Sequence, residues 1–380
     1  MYVLGLPVRR QQTPLERGLL LFYPTTCTME IGSRGSTHKV LLIGVYALDP
    51  LGRIFTLRGG WTQVEKENLL KEKLPGIQFG VSLKEYTTFR IGGPARYFFV
   101  ARSKEEIIGA IHGARELEIP FFVLGGGSNL LICDEGFDGL VIHIQNSKFE
   151  IRDSMLHAEA GVSIATLVEE TARKGLVGFE WAGGLPGTVG GAIRGNAGAF
   201  GSETKDNVLD VEALDGKGEL KVFSKEECQF SYRSSRLKEE GWIVLSAHFR
   251  LEKGDREKIQ SIAQDHILYR KSRHPLEYPN AGSIFKNYEY EKFPAALRKF
   301  IEHVVKNDPF PVVPAAYLIS EAGLKGLREG NAQVSEKHPN YMVNLGNASS
   351  RDVLFLIRKV KEIIQKKFFI GLESEIEYVQ

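Results

Sequence analysis

With 380 residues, 43% hydrophobic and 25% charged, the chain is long enough for two or three domains and has an ordinary globular composition. A formal charge of +2 and the lack of a Lys/Arg block exclude a polyanion-binding face, so no nucleic-acid partner is expected, while small anionic ligands stay open. The three scattered cysteines, Cys27, Cys133 and Cys228, suggest neither a disulfide framework nor a zinc site. No apolar run reaches roughly eighteen residues and no export leader is evident, so a cytoplasmic protein with no bound metal and no membrane partner is expected.

Residues 1–62 show no periodic helix and no paired strand pattern. Three readings stay open: an appended segment, a disordered arm, or upstream sequence before a true start at Val64. From Val64 the pattern becomes regular. A charged helix is predicted over Glu65 to Leu74, a strand over Tyr97 to Ala101, and a helix opened by a Ser103/Glu106 capping box with an apolar face of Ile107, Ile108, Ile111, Ala114 and Leu117. Phe121 to Leu124 then reads as a buried strand. This is a βαβ unit with Gly125-Gly126-Gly127-Ser128-Asn129-Leu130 leaving its second strand, a position where α/β units place ligands. Residues 64–145 are taken as one lobe.

Residues 146–270 are taken as a second lobe, with a helix at Ile164 to Lys174, strands at Val208 to Leu214 and Trp242 to Leu251, and a closing helix from about Arg256 to Arg270. Within it, Gly183 to Gly201 is the most glycine-rich stretch of the chain. Such a run lacks the side chains for a core element, and its glycines permit positive φ and close backbone approach. Pro186, Val189, Ile193 and Phe200 argue against a flexible linker, so it predicts an ordered loop wrapped around a ligand. Residues 271–370 form a third region, with a strand over Asn340 to Leu345 and a long amphipathic helix capped by Ser349 or Ser350. The terminal segment 371–380, which alternates like a strand from Leu372 to Tyr378, is assigned back to the first lobe.

Two glycine-rich loops in one unit suggest a diphosphate-bearing ligand met by backbone N–H groups. Neither is a P-loop or a Rossmann fingerprint, so a dinucleotide held in another manner is expected. Thr88 to Ala95, Gly125 to Leu130, Gly184 to Gly191 with Gly195 to Gly198, Tyr232-Arg233, Asn280 to Ser283 and Leu372 to Glu375 together resemble the UDP-N-acetylenolpyruvoylglucosamine reductase family, in its order, over about residues 64–380. Tyr288, where the family often has proline after Asn287, is a local departure. No insertion bearing the family's tyrosine loop is evident, which points to its shorter form.

The resemblance implies an α+β fold: a two-lobed FAD-binding unit of the vanillyl-alcohol-oxidase (PCMH) type plus a C-terminal α+β substrate domain. It implies NADPH as hydride donor, FAD as carrier, and a UDP-sugar enolpyruvyl ether as the acceptor, reduced to UDP-N-acetylmuramate for peptidoglycan by a monomeric enzyme. The cofactor residues it implies are Arg90, Gly92, Gly125, Gly126, Gly127, Ser128, Asn129, Leu130, Gly187, Thr188, Gly190, Gly191, Asn196, Ala197 and Gly198. Tyr232, Asn287, Lys325 and His338 are the implied substrate contacts.

The reaction asks for a cation against the developing enolate and an acid for C2. Arg233 suits the first, since its guanidinium is always charged and forks onto carboxylates. By match to the family motif, Ser283 is the proton donor and Glu375 the glutamate that binds or polarises the same end. From the residues alone, Arg233 reads as a surface ion pair, Ser283 as a turn or capping serine, and Glu373 and Glu377 share a strand face with Glu375. Two other functions stay open: another FAD oxidase or dehydrogenase of the same fold acting on a hydroxy acid or sugar lactone, and a non-catalytic nucleotide-sugar sensor.

Overall fold

The computed structural model describes residues 62–215 and 217–380 in full, and before them only the backbone of strands between 26 and 56. The chain divides into two units, Met1–Leu69 and Leu70–Gln380. In the first unit Thr26–Ser33 pairs antiparallel with Ser36–Ile43, and Tyr46–Leu48 with Ile54–Thr56. The absence of paired strands expected in 1–62 is corrected for these residues. Their β-branched content (Thr26, Thr28, Ile31, Thr37, Val40, Ile43) favours extended backbone, although no single alternating pattern announces it. The other readings of 1–62 fall outside the described residues.

In the second unit, the first lobe is a four-stranded sheet in the order Gln78–Ser82, Pro94–Ala101, Phe137–Ile144, Phe121–Leu124. The expected βαβ strands are parallel but not neighbours, because Phe137–Ile144 pairs in parallel with both and lies between them. Their crossover helix, Lys104–Glu116, buries Ile107, Ala110, Ile111 and Ala114. Ser103 caps it by accepting from Glu106 N, while the Glu106 carboxylate accepts from Arg102 N at 2.6 Å, one residue before the expected box. The second lobe is an antiparallel sheet in the order Phe149–Arg152, Met155–Glu159, Ile243–Arg250, Val208–Leu214, Leu220–Ser224, and its helices Ile164–Arg173 and Arg256–Arg273 pack on one another.

The glycine-rich stretch is not free of core structure. Val189–Arg194 is helical, with Val189 and Ile193 fully buried and Ala192 nearly so. Its few hydrophobes are spaced three and four apart and therefore share one helical face.

The third region forms an antiparallel sheet in the order Asn280–Ser283, Tyr341–Asn344, Ala332–Val334, Arg328–Glu329, backed by helix Ser350–Phe368 with a capping box of Ser349 and Asp352. Its core is continuous with the first lobe: Phe89, Ile91 and Leu131 pack in the same cluster as Ile284, Phe285, Val353 and Leu356. This is the structural use of the Thr88 to Ala95 motif, for Phe89 is wholly buried at that junction. The terminal segment is strand only at Glu377–Val379, parallel to Leu130–Ile132. The longer alternation fails to give one strand because the chain changes partner: Glu375 N donates to Ile284 O, and Glu377 N to Asn129 O.

Candidate active site

The loop after strand Phe121–Leu124 and the glycine-rich stretch meet backbone to backbone. A Cβ on Gly126 would lie 2.9 Å from Gly187 Cα, and one on Gly127, at φ +60°, would lie 2.0 Å from Tyr86 O. These glycines are needed for the loops to pack on the protein itself. Gly191 differs, since a Cβ there meets nothing nearer than Thr188 Oγ1 at 3.8 Å. The two loops form one wall of a cavity of about 990 Å³.

The rest of the lining includes side chains from three further elements. Ser231 and Ser234 exchange backbone hydrogen bonds, leaving Tyr232-Arg233 at the tip of a tight turn with Arg233 at φ +56°. Asn196 Nδ2 donates to Ser231 O at 3.0 Å and Ser235 Oγ to Arg194 O at 2.8 Å, so the turn is tied to the glycine-rich stretch. Arg233 Nη2 donates to Gly198 O at 2.8 Å and its Nε meets Glu375 Oε1 at 3.0 Å, while its Nη1 makes no hydrogen bond among the described residues. Glu375 is brought beside Ser283 because Phe285 bridges Ser374 and Ile284 O accepts from Glu375 N. Asn129 Nδ2 donates to Glu375 O at 3.1 Å, which joins the first glycine loop to this wall. Burial raises the Glu375 carboxyl above its usual range, against the opposing pull of Arg233, Lys238 and Lys286.

Of the residues implied as cofactor contacts, Arg90, Gly125 to Leu130, Gly187, Thr188, Gly190, Gly191, Ala197 and Gly198 line the cavity, as do Arg233, Ser283 and Glu375. Six others have a different local placement. Gly92, at φ +151°, packs where a Cβ would come within 3.2 Å of Ile132 Cβ. Asn196 is fully buried and binds backbone on both sides. Tyr232 OH accepts from Asn287 N at 3.4 Å, and Asn287 Oδ1 accepts from Ala315 N at 3.1 Å, so both serve to hold the wall. Lys325 is exposed away from the lining. His338 packs its ring on His274 and Tyr341 instead of opening to the cavity, because its loop folds onto Ser335 Oγ.

The three terminal glutamates differ in their surroundings. Glu373 points out, with its side chain 77% exposed beside Lys286. Glu377 lines the cavity but is engaged by Arg194 at 2.5 Å and Lys238 at 3.1 Å. Burial would raise its carboxyl, yet the two cations outweigh that and hold it low. Arg194, Lys238, Arg270 and the pair His274 and Tyr341, joined by a 3.1 Å hydrogen bond, are lining residues that sequence reading missed. Arg194 was detectable as the lone charge of the glycine-rich stretch, whereas the others sit in helices, a strand or, for His274, just past a helix end, with nothing local to mark them. Among the described residues no group of three or more His, Cys, Asp or Glu is arranged to hold a metal, and no helix is long and apolar enough to cross a membrane.

A cavity at the upper end of small-ligand size, with close-packed backbone on one side, open glycine at Gly191 and an unpartnered cationic nitrogen at Arg270, fits an elongated anionic dinucleotide. The class is that of the FAD-binding flavoproteins: residues 95–224 match the family described as FAD binding domain. Residues 274–379 match the UDP-N-acetylenolpyruvoylglucosamine reductase C-terminal domain. The chain is 40% identical over 314 residues to the UDP-N-acetylenolpyruvoylglucosamine reductase of Carboxydothermus hydrogenoformans, covering 82% of this chain and 97% of that one. It is 41% identical over 298 residues to that of Caldanaerobacter subterraneus subsp. tengcongensis, with 78% and 91% covered. The crystal structure of the Thermus caldophilus reductase superimposes with a TM-score of 0.64 at 35% identity, over 80% of this chain and 99% of that one. The chain therefore belongs to the UDP-N-acetylenolpyruvoylglucosamine reductase family, FAD-dependent oxidoreductases of peptidoglycan synthesis, also called UDP-N-acetylmuramate dehydrogenases.

Proposed function

We propose that the protein uses NADPH to reduce the enolpyruvyl ether of a UDP-sugar to UDP-N-acetylmuramate, with Ser283 as the proton donor to C2. The observation that carries the reading is the convergence of Arg233, Glu375 and Ser283 in the cavity that the two glycine loops also line. When bound, FAD supplies the hydride relay between nicotinamide and enol ether. The chain's own part is to orient and to manage charge and protons. Arg233, held by Glu375 and Gly198 O, presents Nη1 to the substrate carboxylate, where negative charge grows as hydride reaches C3. Among the described residues Ser283 Oγ has no hydrogen-bond partner, which leaves it free to give its proton to the strongly basic C2. Residues 271–370 bind the UDP-sugar in this reading.

The test is a pair of half-reactions on the purified protein. Its visible flavin band should bleach with NADPH under anaerobic conditions and return on adding the enolpyruvyl UDP-sugar. Failure to bleach, or return with oxygen but not with the substrate, would falsify the proposal.

A further inference from the structure

Serine is a weak acid, so Ser283 calls for a group behind it that supplies a proton as its own leaves. Tyr341 stands in that place. It pairs directly with Ser283 across the antiparallel strands Asn280–Ser283 and Tyr341–Asn344, and opposite residues of such a pair share one face of the sheet. The next residue on each strand, Ile284 and Met342, is buried in the core, while Ser283 and Tyr341 both line the cavity. The Tyr341 hydroxyl lies 3.1 Å from Nδ1 of His274, itself a lining residue. Burial pushes that hydroxyl up to about 12, with Arg270 pulling the other way and Glu375 adding to the rise.

A buried phenol bonded to one histidine reads first as a core residue whose polar end is satisfied. Its position opposite Ser283 goes beyond that, because two other polar groups brought to this part of the fold are already engaged: Glu375 meets Arg233 Nε, and Asn287 Oδ1 accepts from Ala315 N. Resting on the reading of Ser283 as proton donor, we infer that Tyr341 is a positioning residue that passes a proton to Ser283 through one bridging water, with His274 behind it. As the Ser283 O–H bond breaks and the C2–H bond forms, the water gives a proton to Ser283 Oγ and takes one from Tyr341. The Tyr341 oxygen takes the Nδ1 proton of His274, and His274 Nε2 takes one from solvent. Serine is left protonated, His274 is left neutral in its other tautomer, and exchange with solvent resets the ring. A phenol is a stronger acid than an aliphatic alcohol, so each transfer toward Ser283 runs downhill.

The test follows the substrate-driven half-reaction of the flavin-loaded protein by single-turnover stopped flow, in mixtures of H2O and D2O. Tyr341→Phe keeps the ring and removes only the hydroxyl. It should leave NADPH-driven bleaching unchanged and slow reoxidation about tenfold, the worth of one hydrogen bond. The reoxidation rate plotted against deuterium fraction should curve in wild type, where several protons move together, and become straight in Tyr341→Phe. Combined with Ser283→Ala, the phenylalanine change should add no further loss, because both act on one proton. His274→Gln should slow reoxidation about threefold and decides by the same criteria if Tyr341→Phe does not retain flavin. A straight plot in wild type, wild-type reoxidation in the flavin-loaded Tyr341→Phe protein, or an equal fall in both half-reactions would overturn the inference, the last by making Tyr341 part of the scaffold. Wild-type reoxidation in Ser283→Ala would instead overturn the reading of Ser283 as proton donor, a distinct result.

Discussion

The two walls of the cavity are built by opposite means. One is backbone: a Cβ on Gly126 or Gly127 would run into backbone atoms, and one on Gly125 into Thr188 Oγ1 at 2.8 Å. The other is side chain: Arg233, Glu375 and Ser283 come from a turn, a terminal segment and a strand, and each is held by hydrogen bonds to neighbouring backbone. The difference teaches where damage goes. Changes to the first wall should act through shape, on stability and flavin retention. Changes to the second should act through charge and protons, with the fold left standing.

The sharpest separation is expected at Ser283. It is partly buried on strand Asn280–Ser283 and its hydroxyl carries no hydrogen bond among the described residues, so Ser283→Ala should leave flavin content and NADPH-driven bleaching intact. Substrate-driven reoxidation should fall by about 10² to 10⁴, the usual worth of a positioned general acid. Stopped-flow absorbance of each half-reaction checks this, and an equal fall in both would make Ser283 part of the scaffold.

The glycine wall contains its own internal control. Gly126→Ala puts a methyl 2.9 Å from Gly187 Cα, backbone against backbone, and should cost about 1–3 kcal/mol of stability in thermal unfolding of the flavin-free protein. Gly191→Ala has 3.8 Å to its nearest neighbour and lies in helix Val189–Arg194, where alanine gains about 0.5–1 kcal/mol of helical preference. That variant should hold or gain stability yet retain flavin about tenfold less well. Loss of stability without loss of flavin affinity at Gly191 would erase the distinction between packing glycines and ligand-facing ones.

Asn129 joins the walls, and so its removal should touch both. Asn129→Ala deletes the donor to Glu375 O while the backbone bond from Glu377 N to Asn129 O survives. A loss of about 1–2 kcal/mol is expected from the unpaired carbonyl. Turnover should fall alongside, because the segment carrying Glu375 loosens. Unchanged turnover at lowered Tm would show that Glu375 is held well enough by Ile284 alone.

The same division explains what was legible in the sequence. The glycine wall was visible as composition, and Ser103, Ser349 and the apolar face of the helix at Lys104–Glu116 were visible as spacing, because these signals are local. The insertion of Phe137–Ile144 between the two βαβ strands was not, since sheet order depends on pairings distant in sequence. Nor could spacing choose among Glu373, Glu375 and Glu377: a period-two rule assumes one strand, and this segment changes partner at Glu375. Arg270 looked like any cation in the last turn of a helix, where such residues are common. Only the fold reveals that it turns inward.

His338 gives the smallest expected effect and the finest test of which wall it serves. It was expected at the substrate, yet its ring lies 4.8 Å from Tyr341 and 5.2 Å from His274, with Nδ1 buried and unpartnered. Burial lowers its pKa to about 4, and burial with its cationic neighbours does the same to His274, against an ordinary value of 6.5. A histidine with a depressed folded-state pKa adds stability that is complete above the unfolded value and is lost as pH falls. The window therefore runs from about pH 6.5 down to about pH 4, where the unfolded chain takes up protons that the native packing refuses. Tm of the flavin-loaded protein should decline across that window, and His338→Gln should flatten the decline by about half while His274 supplies the remainder. KM for the substrate should hardly move, because the ring packs on protein. An unchanged slope joined to a raised KM would return His338 to the substrate.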